Sequence, residues 1–583
     1  MKKNKHLNNG ILADERLIKD LSLIDFSKPH LSEYPRTLFK RDSYFCLNGN
    51  WDFKITKSSE LPLEFDEVIN VPFSPETSLS KINKLVNIDD YMYYRLEVNL
   101  NDFSYEHLIL HFEGVNQKAK LYINRKLVST FESGYVRYST RIDQHLKENS
   151  FEIILQVQNL IDQGPYSYGK QALKRGGIYY TSSSGIYKTV WLESLPINYL
   201  KEIKIDPLFD ISSIRFSCIS KVNEDIKVKF NNEEFLLQSN QNYILPVKNV
   251  RHYSPFDPYL YEVEVSSNSD LVKTHFGFKK IEIKKVNNVN KVFLNNKEFF
   301  IKGILHQGYY YLGNLTPLSY KDYEADILAI KNLGFNTVRV HAKTESDIFY
   351  SLCDKHGLLV MQDFVNGGRK AFSTVQGYFK QKTIRKDTSE KYQYLGREDE
   401  LGRKIFAKEV EAVIKNYYNF ASIITYTIFN EGWGQFDSKF FYKIAKSMDP
   451  SKLYDTNSGW FDIEASDFLS KHIYFTRLKN FKPKGRAYIL SEMGGLALRV
   501  KDHFYGCEGT FYKDLKTKKR LKKKYIKIFN KKLLPLSRKN LVGFVYTQFN
   551  DVEDEANGLY TFDRQILKID EEIIKNLNAS FKD

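Results

Sequence analysis

Thr427 to Asp437 reads T-I-F-N-E-G-W-G-Q-F-D, and Tyr488 to Gly495 reads Y-I-L-S-E-M-G-G. Each stretch is an apolar run followed by a glutamate and then by glycine. Uninterrupted apolar runs are what a parallel strand buried on both faces requires, and the glycine marks the loop beyond it. Glu431 and Glu492 are thereby expected where strands give way to loops. A pair of carboxyl groups is the minimum equipment for breaking a glycosidic bond, so these two glutamates set the first functional expectation.

Working outward, the grammar around them alternates strand and helix from near Val292 onward. Strands are expected at Phe299–Leu305, Asn336–His341, Leu358–Asp363, Ile423–Phe429, Leu453–Thr456, His472–Phe475, Ala487–Ser491 and Val542–Gln548. Helical periodicity falls between several of them, at Tyr320–Leu333, Ser346–His356, Phe406–Asn416 and Ser438–Met448. Eight strands in this rhythm have the length and order of a (β/α)8 TIM barrel, here assigned to residues 287–583. Glu431 then follows the fourth strand and Glu492 the seventh, at the barrel end where catalytic residues gather.

Upstream the pattern is all β. Short strands at Trp51–Ile55, Tyr93–Val98, Leu108–Phe112, Ala119–Ile123, Phe151–Gln156 and Thr189–Glu193 are separated by turn residues, as in a β-sandwich over residues 31–195. Ile226–Phe230 and Leu260–Val265 alternate in a smaller unit, residues 196–286, the size of an immunoglobulin-like sandwich. Residues 1–30 are polar and read as a lightly held arm.

Composition excludes some classes. Hydrophobic residues at 42% and aromatics at 15% suit packed cores rather than extended disorder. The net charge of +16 raises the question of a polyanionic partner. In the densest run, Lys516 to Lys532, Leu521, Tyr525, Ile528 and Phe529 recur at helical spacing, so the lysines read as the wet face of an amphipathic helix and nucleic-acid binding is not expected. Cys46, Cys218, Cys353 and Cys507 are scattered without metal or disulfide spacing, which fits a reducing compartment. No signal peptide is visible and no apolar run approaches the ~18 residues of a membrane span, so a cytoplasmic protein without a membrane partner is the expectation.

With these residues laid out, the chain resembles glycoside hydrolase family 2. In the first unit the resemblance rests on F-E-G-V-N-Q-K-A-K-L-Y-I-N (Phe112 to Asn124) and S-G-I-Y-K-T-V-W-L-E (Ser184 to Glu193). In the second it rests on Y-S-P-F-D-P-Y-L-Y (Tyr253 to Tyr261) and H-F-G-F-K-K-I (His275 to Ile281). The barrel opens on F-L-N-N-K-E-F-F-I-K-G (Phe293 to Gly303) and carries the two glutamate motifs. The family's domain order is jelly-roll sandwich, immunoglobulin-like sandwich and catalytic barrel.

The resemblance implies Glu431 as acid/base and Glu492 as nucleophile of a retaining, exo-acting glycosidase working by double displacement. It implies that Asn430 holds the sugar 2-hydroxyl, that Arg339 hydrogen-bonds the nucleophile, and that Tyr474 touches the nucleophile's other oxygen. Read from their positions, His341, Asp363 and His472 end predicted strands and are candidates for sugar hydroxyls or for structural roles. Trp433 and Trp460 are sugar platforms or loop braces, and Gln548 follows the eighth strand near the mouth. No cluster has the spacing of a tight metal site, so no metal and no cofactor are expected. H-Q-G-Y-Y (His306 to Tyr310) and M-Q-D-F-V-N-G-G (Met361 to Gly368) lack the carboxylates of bacterial β-galactosidases, and Asn557 lacks the lysine of the β-glucuronidase N-x-K pair. A neutral glycone, galactose first, is the expectation. The alternatives are a β-mannosidase or β-glucuronidase of the same family, or a non-catalytic carbohydrate-binding protein. The partner is an oligosaccharide or glycoside substrate, and a homo-oligomer is compatible with the reading.

Overall fold

The structure is a computed structural model describing residues 21–370, 386–474, 478–506 and 513–582. Most of the N-terminal arm, Cys507 and part of the stretch from Val365 to Arg403 lie outside the described residues. Cys46, Cys218 and Cys353 are free thiols. The described part of the arm is anchored: Leu21, Ile24 and Phe26 pack against Phe73, Leu79 and Leu312. Every second or third residue there is apolar, which the surrounding polar text obscures.

The first unit is a sandwich of two antiparallel sheets. Six strands run in the order Glu67–Val71, Gly49–Thr56, Tyr91–Asn99, Ser150–Gln158, Lys118–Ile123, Lys126–Glu132. Opposite lie Tyr44–Cys46, Val190–Leu195, His107–Phe112 and Tyr138–Arg141. Trp51, Phe53, Tyr94, Leu110, Phe112, Leu155 and Leu192 fill the space between them. The next unit pairs a three-stranded with a four-stranded sheet. In its strand Asp225–Phe230 the residues Ile226, Val228 and Phe230 are buried while Asp225 and Lys229 are exposed, the period-two pattern of a half-buried strand.

The barrel strands are β1 (Ile301–His306), β2 (Thr337–Val340), β3 (Leu359–Asp363), β4 (Ile423–Asn430), β5 (Leu453–Ser458), β6 (Phe468–Ile473), β7 (Ala487–Gly494) and β8 (Leu541–Thr547). They pair in parallel and in order around one eight-stranded sheet. β5 and β6 meet at the seam through side chains, Ser458 Oγ lying 3.4 Å from Ser470 Oγ, and just before β6 the Thr456 amide donates to Ser466 Oγ at 3.2 Å. The helices α1 (Tyr320–Asn332), α2 (Asp347–His356), α3 (Glu400–Tyr417), α4 (Ser438–Met448), α5 (Lys518–Ile528) and α6 (Glu571–Ala579) pack outside. α1 starts on a capping box, Ser319 with Asp322. In the lysine-rich α5, Leu521 and Tyr525 are buried, and Phe529 continues that face in the next turn. No described helix is long and apolar enough to cross a membrane.

One strand differs from its expected place. β6 covers Phe468–Ile473 rather than His472–Phe475, and Phe475 lies outside the described residues. Its barrel-facing positions Ser470 and His472 are polar, so the hydrophobic pattern that betrays a buried strand is missing there. His472 is consequently inside the strand, directly opposite Glu492 of β7.

The first sandwich also reaches over the barrel's C-terminal end. The amides of Tyr168 and Gly169 both donate to Asn366 O at 2.9 Å, and the Thr181 amide donates to Glu553 Oε1 at 3.0 Å. Glu409 of α3, buried, accepts from the hydroxyls of Ser133 and Ser167. Glu409→Ala leaves both hydroxyls buried without their acceptor, at about 1–3 kcal/mol for each. The variant should unfold at lower temperature, with faster hydrogen exchange at the Tyr168 and Gly169 amides, measured by calorimetry and mass spectrometry.

Candidate active site

Inward-facing positions of the barrel change character along its axis. Leu359 and Met361 of β3 point into an apolar lower layer with Ile301, Ile489 and Val545. Two residues on, the same face of β3 presents Asp363. This polar upper layer is organised by Arg339 of β2, whose side chain is fully buried. Its Nε and Nη2 donate to the two oxygens of Asp363 at 2.9 and 3.0 Å, a fork-to-fork pair. Nη1 donates to Glu492 Oε1 at 3.0 Å and to Ser491 O at 3.0 Å, and Nη2 also reaches Asn430 Oδ1 at 2.8 Å. Burial pulls against the cation, but Asp363 and Glu492 together hold its pKa above the usual arginine value. Burial likewise pushes Asp363 up, yet Arg339 and His341 outweigh it and hold the carboxyl at about 2.

Glu431 sits one residue past β4 in a left-handed conformation, φ +52°. That costs a non-glycine residue about 1 kcal/mol or more. The turn is held by the Glu431 amide donating to Ser458 O at 2.9 Å and the Trp433 amide to Asn430 O at 3.0 Å. Gly432, φ +71°, must be glycine on two counts, since a Cβ there would also stand 2.0 Å from the Phe461 ring. Burial lifts the Glu431 pKa to about 7, against the opposing charges of Lys170, His341 and Arg339. Lys170 comes from the first sandwich. Its ammonium lies 3.5 Å from Glu555 Oε2 and within 6 Å of the Tyr180 and Trp433 ring centres, at 5.4 and 5.7 Å.

His472 stands between the two glutamates, with Nδ1 2.8 Å from Glu431 Oε1 and Nε2 3.6 Å from Glu492 Oε1. One carboxylate oxygen of each glutamate and a ring nitrogen of His472 all lie within 4.8 Å of one another. Among the described residues this is the one such grouping of three histidine, cysteine or acid ligands. Both imidazole nitrogens already face protein partners, Nε2 also lying 3.0 Å from Ser458 Oγ.

The remaining candidates sort by their contacts. Tyr474 donates to Glu492 Oε2 and lies 3.2 Å from Thr547 Oγ1. His341 Nδ1 meets Asp363 Oδ2 at 2.8 Å, so His341 and Asp363 support Arg339 within the barrel. Trp433 lies 5.7 Å from the Tyr179 ring, and its buried indole N–H has no acceptor among the described residues. Trp460 packs with Leu395, Phe461 and Ile463, behind the Glu431 turn. Gln548 is bonded at both ends of its amide, accepting from Gln307 Nε2 at 2.8 Å and donating to Asn557 Oδ1 at 3.0 Å. Sequence reasoning did not single out Lys170, Glu555, Ser458, Gln307 or Asn366 as site residues. Asn366 clamps the end of β4 by donating from Nδ2 to Asn430 O at 3.2 Å. Gln307 and Asn366 lie in the loop stretches quoted after the first and third strands, whereas Ser458 falls two residues beyond the expected end of the fifth.

A model of the "Glycosyl hydrolases family 2, TIM barrel domain" matches residues 282–572. With its domain order and the two glutamate motifs, the chain belongs to glycoside hydrolase family 2. It is similar to a β-galactosidase of Thermoanaerobacterium thermosulfurigenes, 25% identical over 463 residues, which cover 71% of this chain and 59% of that protein. It is also similar to a putative β-glucuronidase of Formosa agariphila, 24% identical over 385 residues covering 61% and 44%. The matched region thus spans roughly half the length of these relatives. In fold it is similar to the β-galacturonidase of Eisenbergiella tayi in its complex with galacturonate, with TM-score 0.70, 17% identity, and coverage of 94% of this chain and 100% of that one. The Ruminococcus gnavus β-glucuronidase superimposes with TM-score 0.75 at 16% identity, covering 94% and 99%.

The raised Glu431 pKa has a stability consequence. The folded state holds this proton to about pH 7, the unfolded chain only to about 4.5, so stability falls as pH rises through that window and the full penalty applies above it. Glu431→Gln should therefore unfold at higher denaturant than wild type at pH 8, by on the order of 3 kcal/mol at most. The difference should vanish near pH 4, and denaturant titrations at the two pH values measure it.

Proposed function

We propose that this chain is a retaining, exo-acting β-glycosidase, with β-galactosides as its first substrates. The observation that carries the reading is a carboxylate pair at the ends of β4 and β7, with oxygens within 4.8 Å and opposite environments. Retaining glycosidases keep their carboxyl groups roughly 5–5.5 Å apart, whereas inverting ones leave room for a water at roughly 6.5–9.5 Å. Glu431, with its pKa lifted by burial, is suited to hold a proton. Glu492, paired with the Arg339 cation and accepting from Tyr474, is placed to attack as the nucleophile.

In this mechanism Glu492 attacks the anomeric carbon while Glu431 protonates the departing glycosidic oxygen. The carbon–oxygen bond to the leaving group breaks and a glycosyl ester forms on Glu492. Esterification removes the negative charge at Glu492, so Glu431 is better able to stay ionised and to take a proton from water. That water attacks the same carbon and frees Glu492. Asn430 turns its Oδ1 to Arg339, and its buried Nδ2 has no acceptor among the described residues, which leaves an N–H donor for the sugar 2-hydroxyl. The segment of the first sandwich that carries Tyr168, Gly169 and Thr181 forms a strap across the barrel mouth, which supports attack on a terminal sugar rather than along a chain.

A neutral glycone is supported by the polar groups around the mouth. Asn557 Nδ2, Gln307 Oε1 and Trp433 Nε1 are buried, uncharged and without partners among the described residues, a mixture suited to hydroxyls. Lys568 is matched by Asp551 at 2.6 Å, Lys170 by Glu555, and Arg175 by Glu553 at 3.2 Å, so each of these cations already has its anion.

Hydrolysis of a panel of nitrophenyl β-glycosides tests the reading. The galactoside should be cleaved fastest, with retained anomeric configuration by NMR. Glu492→Ala should be inactive, and Glu431→Ala should lose about 10²–10⁴-fold on poor leaving groups but much less on a dinitrophenyl glycoside. Preference for the glucuronide or mannoside would reassign the glycone. Wild-type enzyme that cleaves none of the panel would overturn the proposal, and a fluorinated sugar that labels a residue other than Glu492 would overturn the nucleophile.

A further inference from the structure

Arg397 is 1% exposed, and its guanidinium makes one hydrogen bond, Nε donating to Gly434 O at 2.8 Å. Nη1 and Nη2 are buried and have no acceptor among the described residues. Burial pulls the Arg397 pKa down to about 10, with Glu409 opposing, so the group is still a cation over the working range. The guanidinium carbon lies 5.0 Å from the centre of the Phe406 ring of α3 and 5.2 Å from that of Phe436 beyond β4. Filling a slot between two phenyl rings needs only an apolar stem, and a buried charge without an anion is destabilising. Asp363 and Glu492 offset that penalty for Arg339, whereas the Arg397 nitrogens meet no carboxylate among the described residues.

What the guanidinium touches is the loop that carries the proposed acid/base. Glu431, Gly432 and Gly434 have φ of +52°, +71° and +59°. The coil they form is closed by the Trp433 amide donating to Asn430 O at 3.0 Å and the Gln435 amide to Gly432 O at 3.3 Å. A glycine offers little hindrance to rotation of the peptide that follows it, so the Gly434 carbonyl keeps its direction only while a donor holds it. The loop after β3 lies directly against this residue, since a Cβ on Gly434 would collide with Gly367 O. That loop is joined to the first sandwich by the Gly368 amide donating to Tyr166 O at 3.2 Å, and to the residue before Arg397 by the Arg369 amide donating to Gly396 O at 2.9 Å. Arg397 thus stands where the segment around Tyr166, the loop after β3 and the loop after β4 meet.

We propose that Arg397 is a positioning residue: by pinning the Gly434 carbonyl it fixes the loop that carries Glu431 and Trp433 against the loop after β3 and the first sandwich. This rests on the glycosidase reading, with Glu431 as acid/base. Arg397 acts through the backbone rather than on the substrate. A charged donor holds a carbonyl more firmly than a neutral one, which is the use of a cation in an otherwise apolar slot. The signature separates this role from packing. Removing the charge leaves the fold as stable as before or more so, while proton delivery to the leaving group suffers.

The test compares Arg397→Met, which keeps an apolar stem between the rings, with Arg397→Lys, which keeps a charged donor. By calorimetry Arg397→Met should melt close to wild type or above it. Its kcat/KM should fall by about tenfold on methyl β-galactoside, and by less than about twofold on the dinitrophenyl galactoside, whose leaving group departs without a proton. Arg397→Lys should recover most of the lost rate. Hydrogen exchange of the full chain gives a readout independent of turnover: a peptide covering Trp433–Gln435 should exchange several-fold faster in Arg397→Met, with α3 unchanged. Equal losses on the two glycosides, a marked fall in melting temperature, or failure of Arg397→Met to fold would assign Arg397 to the packing of the core and overturn the inference. Unchanged exchange over Trp433–Gln435, or no recovery in Arg397→Lys, would overturn it as well. Wild-type protein that cleaves neither glycoside would overturn the parent reading instead, and the exchange comparison would still show whether Arg397 holds this loop.

Discussion

A fully buried guanidinium has to be paired on every side, and in this chain Arg339 achieves that by drawing on three other strands at once. Asp363 of β3 answers it with both oxygens, Glu492 and Ser491 of β7 lie across the barrel, and Asn430 closes the ring from β4. A one-residue slip in any of these strands would turn its partner to the other face and strand a charge in the interior. The same ion network that satisfies Arg339 therefore fixes where Glu492 stands and how Asn430 is oriented. The placement of Glu492 and Asn430 and the register of the upper barrel layer are one constraint.

Glu431 lies outside that network and is governed by different forces. Its left-handed backbone turns the side chain toward β6, where His472 receives it, and burial rather than a neighbouring anion lifts its pKa. Two chemically identical side chains thus meet different surroundings, Glu492 held by the Arg339 cation and Glu431 by the His472 ring in a buried corner. The first sandwich contributes to that corner. Lys170 opposes the rise in the Glu431 pKa, and the strap that carries it is bonded to Asn366, itself bonded to Asn430.

Legibility in the sequence followed the strength of the burial pattern. β3, β4 and β7 are continuous apolar runs, and α4 matches its expected bounds, because such elements bury most of their surface. β6 was misplaced because its interior face holds Ser470 and His472 in place of apolar residues. The edge strand Lys126–Glu132 was missed for a related reason, as only Phe131 along it is buried. The lysine run read correctly as a helix with a wet face, since the apolar spacing of Leu521 and Tyr525 carries that information independently of charge.

By itself the sequence determined the class of fold, the order of its three units, and the two strand ends that present glutamates. These depend on periodicity and on glycines whose backbone requirements are local. Only the tertiary structure decided what each polar group does. Asp363 and His341 turn toward Arg339, Gln548 spends its amide on Gln307 and Asn557, Trp460 joins an apolar cluster, and His472 joins the acid to a nest of serines. A side chain's hydrogen-bond partners come from strands far apart in the chain, and no local pattern records which of them will face one another once the barrel closes.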